Sequence, residues 1–202
     1  MQRVQWSLIL FLALAEPAIL PAQAPLPRPA QVQNSRAIQA QAWQIVTLAN
    51  QARSSAGVSP LQWDSALAAA AMKHCQLMAA EGPISHRYQG ELELSERAGQ
   101  AGAHFSLIEE NVAIGPDPST IHYQWMHSAG HRSNLLNADV DRVGVAVVAS
   151  RGGLYAVADY AHAVPLLTQT QVETSIAGLL RARRVVLLPD ATAARAACVL
   201  DQ

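Results

Sequence analysis

The segment Trp125-Met126-His127-Ser128-Ala129-Gly130-His131-Arg132-Ser133-Asn134-Leu135-Leu136 decides how this chain is read. It closes a stretch from Ser119 to about His127 whose spacing predicts a helix, with Ser119 placed to cap it. Ser128 to Arg132 reads as a bend, because Gly130 interrupts the helical pattern. His127 and His131 are four apart, which invites comparison with a zinc-protease helix. That chemistry needs a glutamate directly after the first histidine on an unbroken helix. Ser128 stands there instead, so the pair is not such a site and His127 is expected at the surface.

On the C-terminal side, Val143 to Ala149 is rich in β-branched residues, Ser150 to Gly153 is a hairpin loop, and Leu154 to Tyr160 returns as the partner strand. On the N-terminal side, Gly115 to Pro118 is a turn, and Phe105 to Ile114 alternates loosely as a strand containing Glu109-Glu110-Asn111. Before it come a short helix around Leu94 to Arg97 and a loop, Ile84 to Gly90, that carries Ser85-His86. Two helices precede these. The first runs from Arg36 to about Ala56, with Ile38, Ala42, Ile45, Val46, Ala49 and Ala52 at three- and four-residue steps. The second starts at Asp64, a good N-cap, and runs to about Ala80 with Leu67, Ala70, Ala71, Cys75 and Met78 as its apolar stripe. Helices first, a helix between strands, then a hairpin predict an α/β chain. The expected fold is an α-β-α sandwich on a small antiparallel sheet.

The ends read differently. Arg3, the apolar run Leu8 to Ala15 and the small residues Ala22-Gln23-Ala24 make residues 1–24 a secretory signal peptide, too short in its apolar part to span a bilayer. Export places the protein in a secreted, periplasmic or extracellular setting, with no transmembrane segment after cleavage. Residues 25–35, with Pro25, Pro27 and Pro29, read as an extended linker. Residues 164–202 form a short α/β C-terminal extension: a helix from Thr168 to Leu180, a strand from Arg184 to Leu188, and a helix from Ala191 to Val199. The net charge is −1, so no field draws in nucleic acid. Cys75 and Cys198 are the two cysteines, and in an oxidising compartment an even count predicts a disulfide between them. Closing a loop on the order of 100 residues would stabilise the fold by about 4–5 kcal/mol on the chain-entropy account.

The segment Pro60-Leu61-Gln62-Trp63-Asp64, the helix with Lys73-His74-Cys75, Ser85-His86, Glu110-Asn111-Val112, the opening segment, Val143-Gly144-Val145 and the Tyr155 to Tyr160 strand occur in a fixed order. In that order they resemble bacterial members of the CAP superfamily, the SCP-like extracellular domains related to cysteine-rich secretory, antigen 5 and plant pathogenesis-related proteins. The resemblance covers residues 36–163. It implies a central cleft in which His86 matches the first histidine, Glu110 the first glutamate and His131 the second histidine. The second glutamate normally lies three residues after the tryptophan, where this chain has Ser128. Many bacterial members also lack it. Glu109 is a second departure, standing where a glycine usually precedes the Glu-Asn pair.

His86, Glu110, His131, Ser128 and Asn111 are therefore the candidate cleft residues. They admit several readings. The three titratable groups can satisfy one another as a polar cluster. His86 and His131 can hold zinc or another divalent cation, as the resemblance implies for some relatives, and Glu110 would then complete a metal-dependent hydrolase site. A Ser128–His131 pair oriented by Glu110 would be a nucleophile, but no oxyanion-hole motif accompanies it. His74 and Cys75 are helix neighbours that point apart, so they make no nucleophile–base pair. Arg132 and Asn134 are expected to fix the bend by bonds to carbonyls. The fold and motifs favour a binding module whose partner is a small hydrophobic ligand, an envelope component or a protein, with the metal-dependent hydrolase as the alternative.

Overall fold

A computed structural model describes residues 29–183. The chain runs α1 (Pro29–Ser55), β1 (Gln62–Trp63), α2 (Ser65–Glu81), α3 (Leu94–Gln100), β2 (Phe105–Gly115), α4 (Pro118–Met126), α5 (Ala129–Leu136), β3 (Arg142–Ser150), β4 (Gly153–Ala163) and α6 (Gln169–Ala182). The four strands are ordered β1-β3-β4-β2. β2, β3 and β4 are antiparallel, and β1 adds a two-residue parallel edge on Arg142 and Val143.

Alternation along β4 separates the two helical layers. Ala156, Ala158 and Tyr160 join Ile45, Ala49, Ile121, Trp125 and Leu135 in the core shared with α1, α4 and α5. Tyr155 and Val157 face Ala71, Cys75 and Met78 of α2 on the other side. The result is the expected α-β-α sandwich. Gly144 sets the closeness of α2 to the sheet, because a Cβ there would sit 2.0 Å from the Ala68 nitrogen. Asp64 caps α2 as expected, accepting from the Ala66 and Leu67 amides at 2.8 and 2.9 Å. Gly82, at φ 103°, ends it in a conformation that favours glycine.

Three expectations are corrected. Helix α1 begins at Pro29, inside the stretch read as a linker over 25–35. Proline fits the first helical turn, and the following Ala and Gln residues are good helix formers that apolar periodicity does not register. The cap of α4 is Asp117, whose carboxylate accepts from the Thr120 amide at 2.8 Å. Ser119 lies within the helix, because Pro118 takes the first position. The stretch from Ser128 read as a bend is the N-cap and start of α5, with the Arg132 amide donating to the Ser128 carbonyl at 2.8 Å. Gly130 falls in the first turn, where it does not break the helix.

The tail helix forms where expected, with Thr168 as its cap. The signal peptide, the strand at Arg184–Leu188, the helix at Ala191–Val199 and Cys198 lie outside the described residues. Among the described residues Cys75 forms no disulfide; it is fully buried, and its Sγ donates to the Tyr155 carbonyl at 3.2 Å. No helix of the described residues is long and apolar enough to cross a membrane.

Candidate functional site: a histidine–carboxylate cleft on the β2 edge

β2 is an edge strand, and its consecutive residues Glu110 and Asn111 point to opposite faces of the sheet. Each holds one wall of a cleft. On the α2–α3 side, His86 Nδ1 donates to Glu110 Oε1 at 2.8 Å. On the α4–α5 side, Asn111 Nδ2 donates to the His131 carbonyl at 2.9 Å. The two imidazole rings meet across the strand edge with centroids 6.4 Å apart and planes tilted by 45°. His86, Glu110 and His131, remote in sequence, are thus brought together.

The His86 wall has no regular structure and is held from beneath. His74, fully buried on α2, donates from Nε2 to the Ser85 carbonyl at 2.8 Å, and its Nδ1 meets Glu91 Oε1 at 2.7 Å. Arg97 of α3 donates from Nη1 to the His86 carbonyl at 3.1 Å and from Nη2 to Glu110 Oε2. The carbonyls of Ser85 and His86 are both held by buried side chains, which places the His86 backbone beside Glu110. Its ring is 59% exposed, whereas the Glu110 side chain is only 3% exposed.

The His131 wall is α5. Asn134 Nδ2 donates to the Glu110 carbonyl at 3.2 Å and to Asn111 Oδ1 at 3.0 Å. Asn137 Nδ2 reaches both Glu109 oxygens at 3.1 Å, which explains an acid at that position. Arg53 of α1 is wholly buried and holds the far end of α5, donating to the Leu135 and Asn137 carbonyls at 3.0 and 2.8 Å. It also donates to the Val140 and Ser59 carbonyls at 3.0 and 2.7 Å. Arg132, expected to bond carbonyls, is exposed, and its side chain makes no hydrogen bond among the described residues.

The cleft floor contains an acid that the motifs did not mark. Asp159 of β4 pairs directly with Glu110 of β2, is fully buried, and has no hydrogen-bond donor on either oxygen. Burial first, and the Glu110 carboxylate beside it second, hold its carboxyl well above the usual range. The Glu110 hydrogen bond raises the His86 imidazole above its ordinary value, against a smaller opposing effect of burial. Burial, then the charge of His86, lower His131. The two rings are thus pushed apart, with His86 favouring the cation and His131 the neutral form.

Ser128 is the half-buried N-cap residue of α5, makes no side-chain capping bond and does not bond His131, so no nucleophile pair forms. A divalent metal on His86, Glu110 and His131 would need a free Glu110 oxygen, and both are engaged by His86 and Arg97. Among the described residues no group of three or more His, Cys, Asp or Glu is arranged to hold a metal ion. The residues therefore do not fit a three-ligand zinc site. Two imidazoles remain, with Glu110 behind His86 as an outer partner.

This arrangement sits within residues 46–160, which match the profile of the CAP, cysteine-rich secretory protein, family. The chain belongs to this family. Its CAP domain is 32% identical over 106 residues to YlbC of Bacillus subtilis, named as an uncharacterized membrane protein, covering 52% of this chain and 30% of that one. It is 31% identical over 107 residues to the uncharacterized protein YkwD of the same organism, covering 52% and 42%. Among solved structures, an extracellular protein containing an SCP domain from Bacillus anthracis superposes with a TM-score of 0.60 at 27% identity, over 69% of this chain and 45% of that one. The chain thus spans less than half the length of these relatives.

His74, Glu91, Arg97 and Asp159 are the cleft residues that sequence reasoning missed. Two of them had a signal: His74 inside an alanine-rich helix and Asp159 inside an apolar strand run, where such groups are buried only when partnered; Glu91, in a loop, and Arg97, in a short polar helix, had none.

Proposed function

We propose that this chain is an exported CAP-domain binding module, in which the cleft of His86, Glu110 and His131 receives an envelope component or a protein segment. The observation that supports this is the construction of the cleft: a half-exposed imidazole backed by a buried carboxylate and guanidinium, facing a second imidazole of opposite pKa tendency. Such a pair offers a donor and an acceptor to one polar ligand. The polar lining gives a purely hydrophobic ligand little to bury against. The metal-dependent hydrolase alternative lacks its third ligand, and Ser128 supplies no nucleophile pair. Export is supported by the N-terminal signal pattern and by the extracellular description of the Bacillus anthracis structure.

The test is one preparation of the full chain, analysed for co-purifying metals and small molecules, then mixed with cell-envelope extracts. Binding should be retained by wild type and lost in His86→Ala and His131→Ala. Stoichiometric zinc in wild type that disappears in both variants would favour the metal reading. Equal binding by all three proteins would overturn the cleft assignment.

A further inference from the structure

Strand β3 runs from Arg142 to Ser150, and β4 pairs with one edge along its whole length. On the other edge β1 covers only Arg142 and Val143. There the Gln62 and Asp64 amides donate to the Asp141 and Val143 carbonyls. Backbone groups alternate along a strand, so the amides and carbonyls of Val145, Val147 and Ala149 point to that same side, beyond the end of β1. Among the described residues they have no hydrogen-bond partner. Yet Val145 is only 3% and Val147 1% exposed, so water has little access to them. Buried backbone groups are rarely left unpaired. The free edge is the floor of a groove: Ile38 and Gln39 of α1 form one wall and Met72 of α2 the other, around a cavity of about 360 Å³ over Val147 to Ala149.

We propose that Arg184-Val185-Val186-Leu187-Leu188 enters this groove as a further strand, pairing with the free edge of β3 and fastening the C-terminal tail to the CAP domain. Edge strands are commonly covered in this way, and main-chain bonds supply the affinity.

The sequence of the segment fits the groove. A strand held between two helical layers is buried on both faces and reads as an unbroken apolar run. Val185 to Leu188 is such a run, with two apolar side chains for each face, and Pro189 ends it. At the other end of the chain, the apolar run Leu8 to Ala15 belongs to the expected signal peptide. Pro17, Pro21, Pro25 and Pro27 interrupt residues 16–28 and lack the amide that a ladder needs.

The segment also reaches. Ala161 of β4 pairs with Arg142, so β4 ends beside the start of β3, and Val147 lies about 17 Å farther along. Between them the 14 residues of α6 span about 21 Å and Val164 to Thr168 up to about 17 Å, which is ample. A second copy is disfavoured by the recess: an edge sunk between α1 and α2 admits one tethered strand but not the rim of another sheet.

The test is amide exchange and nuclear Overhauser contacts in the full chain, beside Val186→Pro, which removes an amide from the added strand. In wild type the Val147 and Ala149 amides should exchange at least about 100-fold more slowly than in the variant, with contacts from β3 to Val185–Leu188. The Ala146 and Val148 amides, which face β4, should be unchanged. Equal exchange in the two proteins, or wild type without those contacts, overturns the proposal. Contacts from β3 to residues 16–28 would give the groove to the N-terminal segment, and protection that fades on dilution would give it to a second copy. Either also overturns it. The wild-type contacts decide the matter even if the variant is unstable.

Discussion

Glu110 and Asp159 face each other across β2 and β4, both buried, and the guanidinium of Arg97 reaches Glu110. Two ionised carboxylates there would be costly, because Asp159 has no donor of its own. A neutral Asp159 instead can donate its hydroxyl to Glu110, and this relationship makes the acid legible as a support for the cleft.

Asp159→Asn tests it, because an amide also donates. At about pH 7 Asp159→Asn should unfold within about 0.5 kcal/mol of wild type, whereas Asp159→Ala should lose about 2 kcal/mol. The pH dependence has a definite sign. The raised Asp159 carboxyl binds a proton in the folded chain that the unfolded chain releases near its ordinary value of about 3.9. That contribution is complete below about pH 3.9 and is lost as pH rises through the folded value. Urea unfolding over a pH series should show this decline in wild type and a flatter profile in Asp159→Asn. Strong destabilisation by Asn at all pH values would mean that Asp159 is ionised and paired.

His86 titrates above its ordinary value because it donates to Glu110. Glu110→Gln removes the charge, so the His86 ring should titrate lower, toward about 6.5. In wild type the His86–Glu110 contribution to stability is complete below about pH 6.5 and is lost as pH rises through the folded value. Proton NMR of the His86 ring in wild type and Glu110→Gln checks the shift. The same variant removes the nearer of the two Arg97 carboxylates, leaving Glu91 Oε1 at 3.5 Å from Nη1, and should cost about 2 kcal/mol. An unchanged His86 titration would remove Glu110 as its partner.

What the sequence discloses depends on whether a residue acts locally. The Asp64 cap, the Ser150–Gly153 hairpin and the stripe of α2 follow from neighbours in the chain, and all form as read. The Glu110-Asn111 dipeptide was legible as a motif, but its division of labour between two walls appears only once β2 is known to be an edge. Arg53 falls four residues beyond Ala49 on the apolar stripe of α1, so its burial was implied. Its four carbonyl partners, drawn from three later segments, were not. Gly130 misled because a glycine that breaks a helix interior is harmless in a first turn behind a capping residue.

Arg53 clamps α5 and hence the His131 wall. Removing it leaves the Ser59, Leu135, Asn137 and Val140 carbonyls without that donor. Arg53→Met should therefore destabilise the fold by about 3 kcal/mol. Lysine keeps the charge but lacks the planar fork, so Arg53→Lys should recover less than half of the loss. Hydrogen exchange should show the α5 amides losing protection before those of β3 and β4. Uniform loss across the sheet would place Arg53 in general packing instead.

Cys75 separates the two fates open to the pair of cysteines. Its thiol is fully buried between α2 and β4, and burial pushes it up to about 12. A bridge to Cys198 would require a distant segment to enter a core already filled by Ala71, Met78, Val157 and Tyr155. In Cys198→Ser, a thiol-specific reagent should therefore find no reactive group in the native protein and one after denaturation. Wild type denatured without reductant should release the Cys75 thiol as well. If it releases none, and reduction then yields two, Cys75 and Cys198 are joined, and the packing around α2 must open to accommodate the bridge.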